Sequence, residues 1–302
     1  MKTIMITGVS GFIGSNLAKY YLSKKYRVIG ISRNRFNLRN ENFEFIEADL
    51  SKDKIEEIFI KYIPQYIIHC ASSASVGASV ENPEYDFESS VSVLYKILFT
   101  LKKIDIKPKF IFLSSAAVYG NPKKIPISED DEINPISPYG LNKKICEDIC
   151  KYFIKNEYMD IKILRIFSVY GMGLKKQIFW DINNKIKNNN LELFGTGSET
   201  RDFLNVEDLI QSIDLILNAE SKEYVFNIAN WEEITIRHLA EIFLKNRKLS
   251  YDVLKFNNIV KCGDPLNWRA DISRIKAIGY KKQVDIEDGI KKYINWLDEN
   301  KF

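Results

Sequence analysis

Short apolar runs, each ending in small residues and passing into a helical pattern, recur through the first half of this chain. That alternation constrains the fold more than any other feature. Strands are expected over 4–7, 27–31, 43–48, 66–71, 110–113 and 161–167, with helical spacing between them, as at 55–62 and about 85–103. Runs without polar alternation are buried on both faces, so such strands pair in parallel and helices cover both sides of the sheet. Ligands then collect at the carboxyl ends of the strands, where Gly8, Ala71, Ser115 and Ser168 fall.

The first run leads into Gly8, Gly11 and Gly14, and a helical pattern with Leu17, Tyr20 and Tyr21 on one side follows. Three glycines alone could be a turn of structural use only. Between an N-terminal strand and a helix they read as a dinucleotide loop, because no Cβ blocks a pyrophosphate from the helix N-terminus. The expected fold is α/β, a doubly wound parallel sheet of the Rossmann type with a smaller C-terminal α/β substrate lobe. The second strand ends at Ser32-Arg33-Asn34-Arg35. Serine cannot replace the acid that grips an adenine ribose, and arginine favours a 2′-phosphate, so the loop leans towards NADP(H), with NAD possible and solvated arginines the plainer alternative. Beyond 167 the pattern loosens into helices near 181–190, from 206 and from 237, a strand at 225–228 and a last helix over 286–297. Residues 1–167 are read as the dinucleotide-binding domain. Residues 168–302 are mainly a substrate-binding lobe, partly interleaved with the sheet. There is no internal repeat and no clear linker.

Ser137-Pro138-Tyr139 looks like a helix start, with serine as N-cap and proline at the first helical position. Tyr139 and Lys143 then stack at i and i+4. Such a pair is commonly just an exposed one. If it faces a pocket, the ammonium favours the phenolate, and Tyr139 becomes a proton-transfer group near neutral pH.

Of the 302 residues, 45% are hydrophobic and 28% charged, with a formal net charge of +4. No basic block points to nucleic acid, and no apolar run reaches the length of a membrane span. Met1-Lys2-Thr3 runs straight into a strand, so a cytoplasmic protein without signal peptide is expected. Four cysteines support no disulfide framework. Cys146 and Cys150 share a helix face, but with only His69 and His238 to complete a site, buried thiols and no metal are expected.

Taken in order, ITGVSGFIG (6–14), Asp49-Leu50, SSAAVYG (114–120), the YxxxK of Tyr139 and Lys143, RIFSVYG (165–171) and GTGSETRDF (195–203) resemble the extended short-chain dehydrogenase/reductase family. The branch is that of the nucleotide-sugar epimerases and dehydratases. The resemblance covers nearly the whole chain and includes the ending GDP…RADISRIKAIGY. It implies that Ser115 hydrogen-bonds the reacting sugar oxygen, Tyr139 moves that oxygen's proton, and Lys143 binds the nicotinamide ribose. Gly8, Gly11, Phe12, Ile13, Gly14, Ser32, Arg33, Asp49, Leu50, Cys70, Ala71, Ser72 and Ser114 join Tyr139 and Lys143 around the cofactor. Substrate contacts fall to Ser115, Ser168, Arg201 and Arg269, with Arg201 on the diphosphate. The resemblance further implies a homodimer, built from the helices over 85–103 and about 141–154, and points by analogy to surface-polysaccharide synthesis.

Departures from the branch narrow the reaction. Ala116 and Ala117 stand where the 4,6-dehydratases carry Asp-Glu, and methyls do no acid/base work, so dehydration and the related decarboxylation are disfavoured. Ser32, Ser90 and Ser168 replace a ribose-binding acid and two asparagines. The leading expectation is NADPH-dependent reduction of a 4-keto sugar nucleotide. The alternative is a C4 epimerase with tightly bound NAD, since SSAAVYG is close to the epimerase form. A non-catalytic nucleotide-binding member is disfavoured because Tyr139 and Lys143 are both present.

Overall fold

A computed structural model describes residues 1–73, 75–259 and 266–302. Ala74, and Gly263, Asp264 and Pro265 of the C-terminal motif, lie outside the described residues. The chain opens with β1 (Thr3–Thr7), α1 (Phe12–Ser23), β2 (Arg27–Ser32), β3 (Phe43–Glu47), α2 (Glu56–Tyr62) and β4 (Tyr66–His69). Next come α3 (Val76–Glu81), α4 (Pro83–Phe87), a π-turn (Glu88–Ser92), α5 (Val93–Lys103), β5 (Lys109–Ser115), a 3₁₀ turn (Ala116–Tyr119), α6 (Pro138–Glu157) and β6 (Ile161–Ile166). The remainder comprises β7 (Ser168–Tyr170), α7 (Gln177–Lys187), β8 (Glu192–Leu193), β9 (Thr200–Arg201), β10 (Phe203–Asn205), α8 (Val206–Asn218) and β11 (Val225–Ile228). It ends with β12 (Ile234–Thr235), α9 (Ile236–Arg247), β13 (Lys255–Phe256), α10 (Ser273–Ala277) and α11 (Ile286–Glu299).

Among the described residues the main sheet has seven parallel strands in the order β11-β6-β5-β4-β1-β2-β3. Side chains alternate across it. Ile4 and Ile6 of β1 pack with Leu17 and Tyr21 of α1 and Ile213 of α8, whereas Met5 packs on the other face with Phe59 of α2, Leu98 of α5 and Phe153 of α6. All of these side chains are fully buried or nearly so. Truncating one of them, Leu98 to alanine, should cost about 2–5 kcal/mol. Strand order reverses at β1, with β2 on one side and β4 on the other, which places a crevice at their carboxyl ends.

β11 pairs with β6 from Val225↔Ile163 to Ile228↔Ile166, so the chain returns to the sheet well after residue 167. A further aromatic core lies outside the sheet, with Tyr170 stacked on Phe179 at 4.8 Å between ring centroids and Phe203 and Tyr293 packed around them. The helix expected over about 85–103 starts earlier and is broken. Asn82 caps α4 by accepting from Tyr85 N at 3.1 Å, Pro83 takes its first turn, and the π-turn intervenes before α5. α3 starts at Val76, with Ser75 as its N-cap. No described helix is long and apolar enough to cross a membrane.

Candidate active site

A cavity of about 1250 Å³ lies over the crevice and extends under the C-terminal elements. At its first end the chain leaves β1 through Gly8, whose φ of +67° is a left-handed conformation that favours glycine. A Cβ on Gly8 would sit 2.8 Å from Ala71 N, and one on Gly14 would sit 2.4 Å from Gly8 O. The turn is thereby packed between β4 and α1. Gly11 is the N-cap of α1 and offers no side chain to it, so the first amides of that helix keep their dipole for an anion. A dinucleotide pyrophosphate fits this cradle.

Beyond the turn the cavity is lined by Ser32, Arg33, Asp49 and Leu50. Ser32 Oγ donates to Asn34 O at 2.7 Å. Arg33 Nη1 donates to Tyr85 OH at 2.8 Å, and its guanidinium lies 5.9 Å from that ring's centroid. The Asp49 carboxylate accepts from Ser51 Oγ at 2.6 Å and from Ser51 N at 3.0 Å, and the hydroxyl bond holds it below the usual carboxylate range. Phe12, Ile13, Cys70, Ala71, Ser72 and Ser114 also line the cavity.

Ser115, Tyr139 and Lys143 meet in the middle of this lining. Ser137 Oγ accepts from Gly140 N at 3.1 Å and starts α6, and Tyr139 N donates to Ser79 Oγ at 3.1 Å. A Cβ on Gly140 would fall 2.5 Å from Ala117 O, so only glycine lets α6 approach the 3₁₀ turn this closely. Lys143 is 3% exposed; its Nζ donates to Leu113 O at 2.8 Å and to Ser72 Oγ at 3.1 Å, and stands 5.7 Å from the Tyr139 ring centroid. Ser115 Oγ accepts from Ala117 N at 3.2 Å. Ala117 lines the cavity, and Ala116 is fully buried. Ser90 is buried in the π-turn, and its neighbour Ser89 faces the cavity instead.

At the far end Ser168 and Arg201 line the cavity. Arg201 Nη1 donates to Thr200 O at 2.8 Å and Leu266 O at 3.2 Å, with its guanidinium 5.6 Å from the Trp268 centroid. Arg269, expected to contact substrate, is not among the lining residues. Its neighbour Trp268 faces the cavity, while the Arg269 guanidinium lies 5.9 Å from the Trp231 centroid and its carbonyl accepts from Ile127 N at 2.8 Å. In an extended segment adjacent side chains point opposite ways, and tryptophan takes the inward position. Lys176, Gln177, Trp180, Asn184 and Phe194 also line this end and had no motif to mark them. Cys146 and Cys150 are buried thiols; burial pushes Cys146 up to about 12 and Cys150 well above its ordinary value. Among the described residues no group of His, Cys, Asp or Glu is placed to hold a metal ion.

Residues 4–229 match the NAD-dependent epimerase/dehydratase family. The chain belongs to that family. This member is an enzyme of the short-chain dehydrogenase/reductase type. It is 33% identical over 307 residues to a putative UDP-glucose 4-epimerase of Methanocaldococcus jannaschii, across 98% of this chain and 99% of the relative. It is similar to the UDP-N-acetylglucosamine 4-epimerase of Methanobrevibacter ruminantium M1, solved with UDP-N-acetylmuramic acid, at 29% identity, TM-score 0.89 and 99% coverage of both chains. The UDP-glucuronic acid 4-epimerase of Bacillus cereus, solved with UDP-glucuronic acid and NAD, matches at 27% identity, TM-score 0.89 and 99% coverage of both. These relatives lend no support to NADPH-dependent reduction, the leading expectation from Ser32 and Arg33. They favour the epimerase alternative of this epimerase/dehydratase family member. The NADP preference likewise finds no support, and Arg33 has a partner in Tyr85.

Proposed function

We propose that this enzyme is a nucleotide-sugar 4-epimerase that keeps NAD bound, with residues 168–302 acting mainly as the substrate lobe. The observation that carries the reading is the convergence of Ser115, Tyr139 and Lys143 on one cavity, beside alanines where dehydration needs acids. NAD, held along the glycine turn, would supply reversible hydride transfer at the sugar's C4. Tyr139 takes the proton of the 4-hydroxyl through its phenol oxygen and gives it back after the sugar has turned. Ser115 orients that oxygen by hydrogen bond. Lys143, fixed to Leu113 O and Ser72 Oγ, supplies positive charge beside the phenol and a donor towards the cofactor ribose. Arg201 lines the end where the diphosphate would lie, and a guanidinium suits its oxygens. The similarity to three 4-epimerases supports the same reaction.

The reading includes a homodimer formed through α5 and α6 and a cytoplasmic location. The deciding experiment identifies the nucleotide released from the purified protein, then follows C4 inversion of UDP-glucose, UDP-N-acetylglucosamine and UDP-glucuronate by NMR without added cofactor. Stoichiometric NAD and inversion of one of them, with no net change at the nicotinamide absorbance, is expected. An empty protein that binds NADPH tightly and consumes it would return the assignment to reduction.

A further inference from the structure

Glu147 lies one turn beyond Lys143 and two beyond Tyr139, so the three share a face of α6. It is fully buried. Ser114 Oγ donates to its Oε1 at 2.7 Å, and Arg165 of β6 donates twice, from Nε to Oε1 at 2.9 Å and from Nη2 to Oε2 at 2.8 Å. Lys151 Nζ stands 3.7 Å from Oε2. Arg165 is 2% exposed, and its Nη1 donates to Tyr119 OH and to Glu129 O, each at 2.8 Å. Tyr119 OH donates on to Asn227 Oδ1 at 2.7 Å.

These bonds bracket Ser115. Ser114 immediately precedes Ser115, and Tyr119 closes the 3₁₀ turn that follows it. The Glu147–Arg165 pair therefore grips both flanks of Ser115 and, through α6, the helix that carries Tyr139 and Lys143. Lys143 and Glu147, one turn apart, bind consecutive residues at the end of β5, Leu113 and Ser114. A slip of α6 along the sheet would break both bonds at once.

We propose that Glu147 is a positioning residue, which sets the Ser115 hydroxyl against the Tyr139 phenol through Ser114 and Arg165. This rests on the epimerase reading for its kinetic consequence but not for its geometric one. A buried ion pair can be replaced by apolar groups of similar volume without loss of stability, whereas removing one partner strands a charge. That difference separates positioning from bulk stability.

The test compares the wild-type holoenzyme with Glu147→Gln and with the double variant Glu147→Leu/Arg165→Met. Three quantities are read: the thermal midpoint, amide hydrogen exchange at Tyr139 and Gly140, and kcat and KM separately. The Tyr139 amide bonds to Ser79 Oγ of α3 and the Gly140 amide to Ser137 Oγ, the helix's own N-cap, so their exchange reports the docking and the capping of the start of α6. In the double variant a midpoint close to wild type is expected, with exchange at both amides at least about tenfold faster and kcat down about 10–100-fold at nearly unchanged KM. A stable double variant with native exchange and native kcat would overturn the proposal. If the double variant does not fold, Glu147→Gln below its midpoint is read in the same way. If the wild type inverts no nucleotide sugar, the epimerase reading fails, and exchange at Tyr139 and Gly140 alone decides the positioning role.

Discussion

A tyrosine and a lysine four residues apart acquire chemical meaning here from what each touches. Lys143 is buried and bound to β5, and Tyr139 stands beside it on the cavity wall with Ser115. Replacing Tyr139 with phenylalanine removes only the oxygen that would carry the proton, so kcat should fall by about 10²–10⁴ with little change in substrate affinity. Initial rates of C4 inversion across substrate concentrations check this, and unchanged turnover would remove Tyr139 from the mechanism. Most of this centre was legible in the sequence because strand ends, glycines and the YxxxK spacing are local signals. Arg269 stands outside the cavity lining for a physical reason: which of two neighbours in an extended segment faces a cavity depends on tertiary packing, and here it is Trp268. Glu147 left a faint signal that went unread. An arginine inside the apolar run 161–167 must have a buried anion, and a glutamate two turns after Tyr139 is positioned to be one.

At the scale of elements, the sheet was readable because most of its strands are apolar runs that alternate with helical spacing, although β3 carries Glu44 and Glu47 and is only half-buried. The run 225–228 was placed to the residue. The helix before β5 was less readable. Its heptad-like apolar positions continue through Glu88–Ser92, where the backbone widens into a π-turn that no periodicity marks. α5 and α6 lie side by side, with Tyr95 edge-on to Phe153 at 6.3 Å. Their outer faces leave Tyr95, Phe99, Leu141 and Tyr152 exposed. Apolar side chains gathered on two adjacent helices mark an interaction face, in keeping with the proposed dimer. Phe99→Glu combined with Leu141→Glu places four charges across a two-fold interface and should raise its dissociation constant at least about 100-fold. Sedimentation of wild type and variant at micromolar concentration tests it, and a wild-type monomer would rule the dimer out.

For the whole molecule, two buried groups, Asp202 and His69, set an opposed dependence of stability on pH. Asp202 is fully buried, with Oδ1 accepting from Asn230 N at 2.8 Å and Oδ2 from Ala270 N at 3.1 Å, and burial pushes it up to about 7. His69 ends β4, between β1 and β5 in the sheet, with Nδ1 2.8 Å from Thr7 Oγ1 and its ring stacked on Phe112. Burial, aided by the Lys143 charge, drives it down to about 3. An acid raised on folding takes up a proton between about pH 4 and 7, so its contribution weakens as pH rises through that window. A base depressed on folding releases one between about pH 3 and 6.5, so its contribution weakens as pH falls. Where the windows overlap, the two slopes oppose and nearly cancel. Asp202→Asn removes one of them. At pH 4.5 the variant should be less stable by about 1–2 kcal/mol, because one acceptor is lost and an amide N–H faces Ala270 N–H. At pH 7.5 the wild type carries a buried carboxylate at a cost on the order of 4 kcal/mol, so the variant should equal or exceed it. Urea unfolding of both proteins at pH 4.5, 6.0 and 7.5 measures the difference, from which groups common to both drop out. A difference that does not change with pH would mean that Asp202 stays ionised in the folded protein throughout.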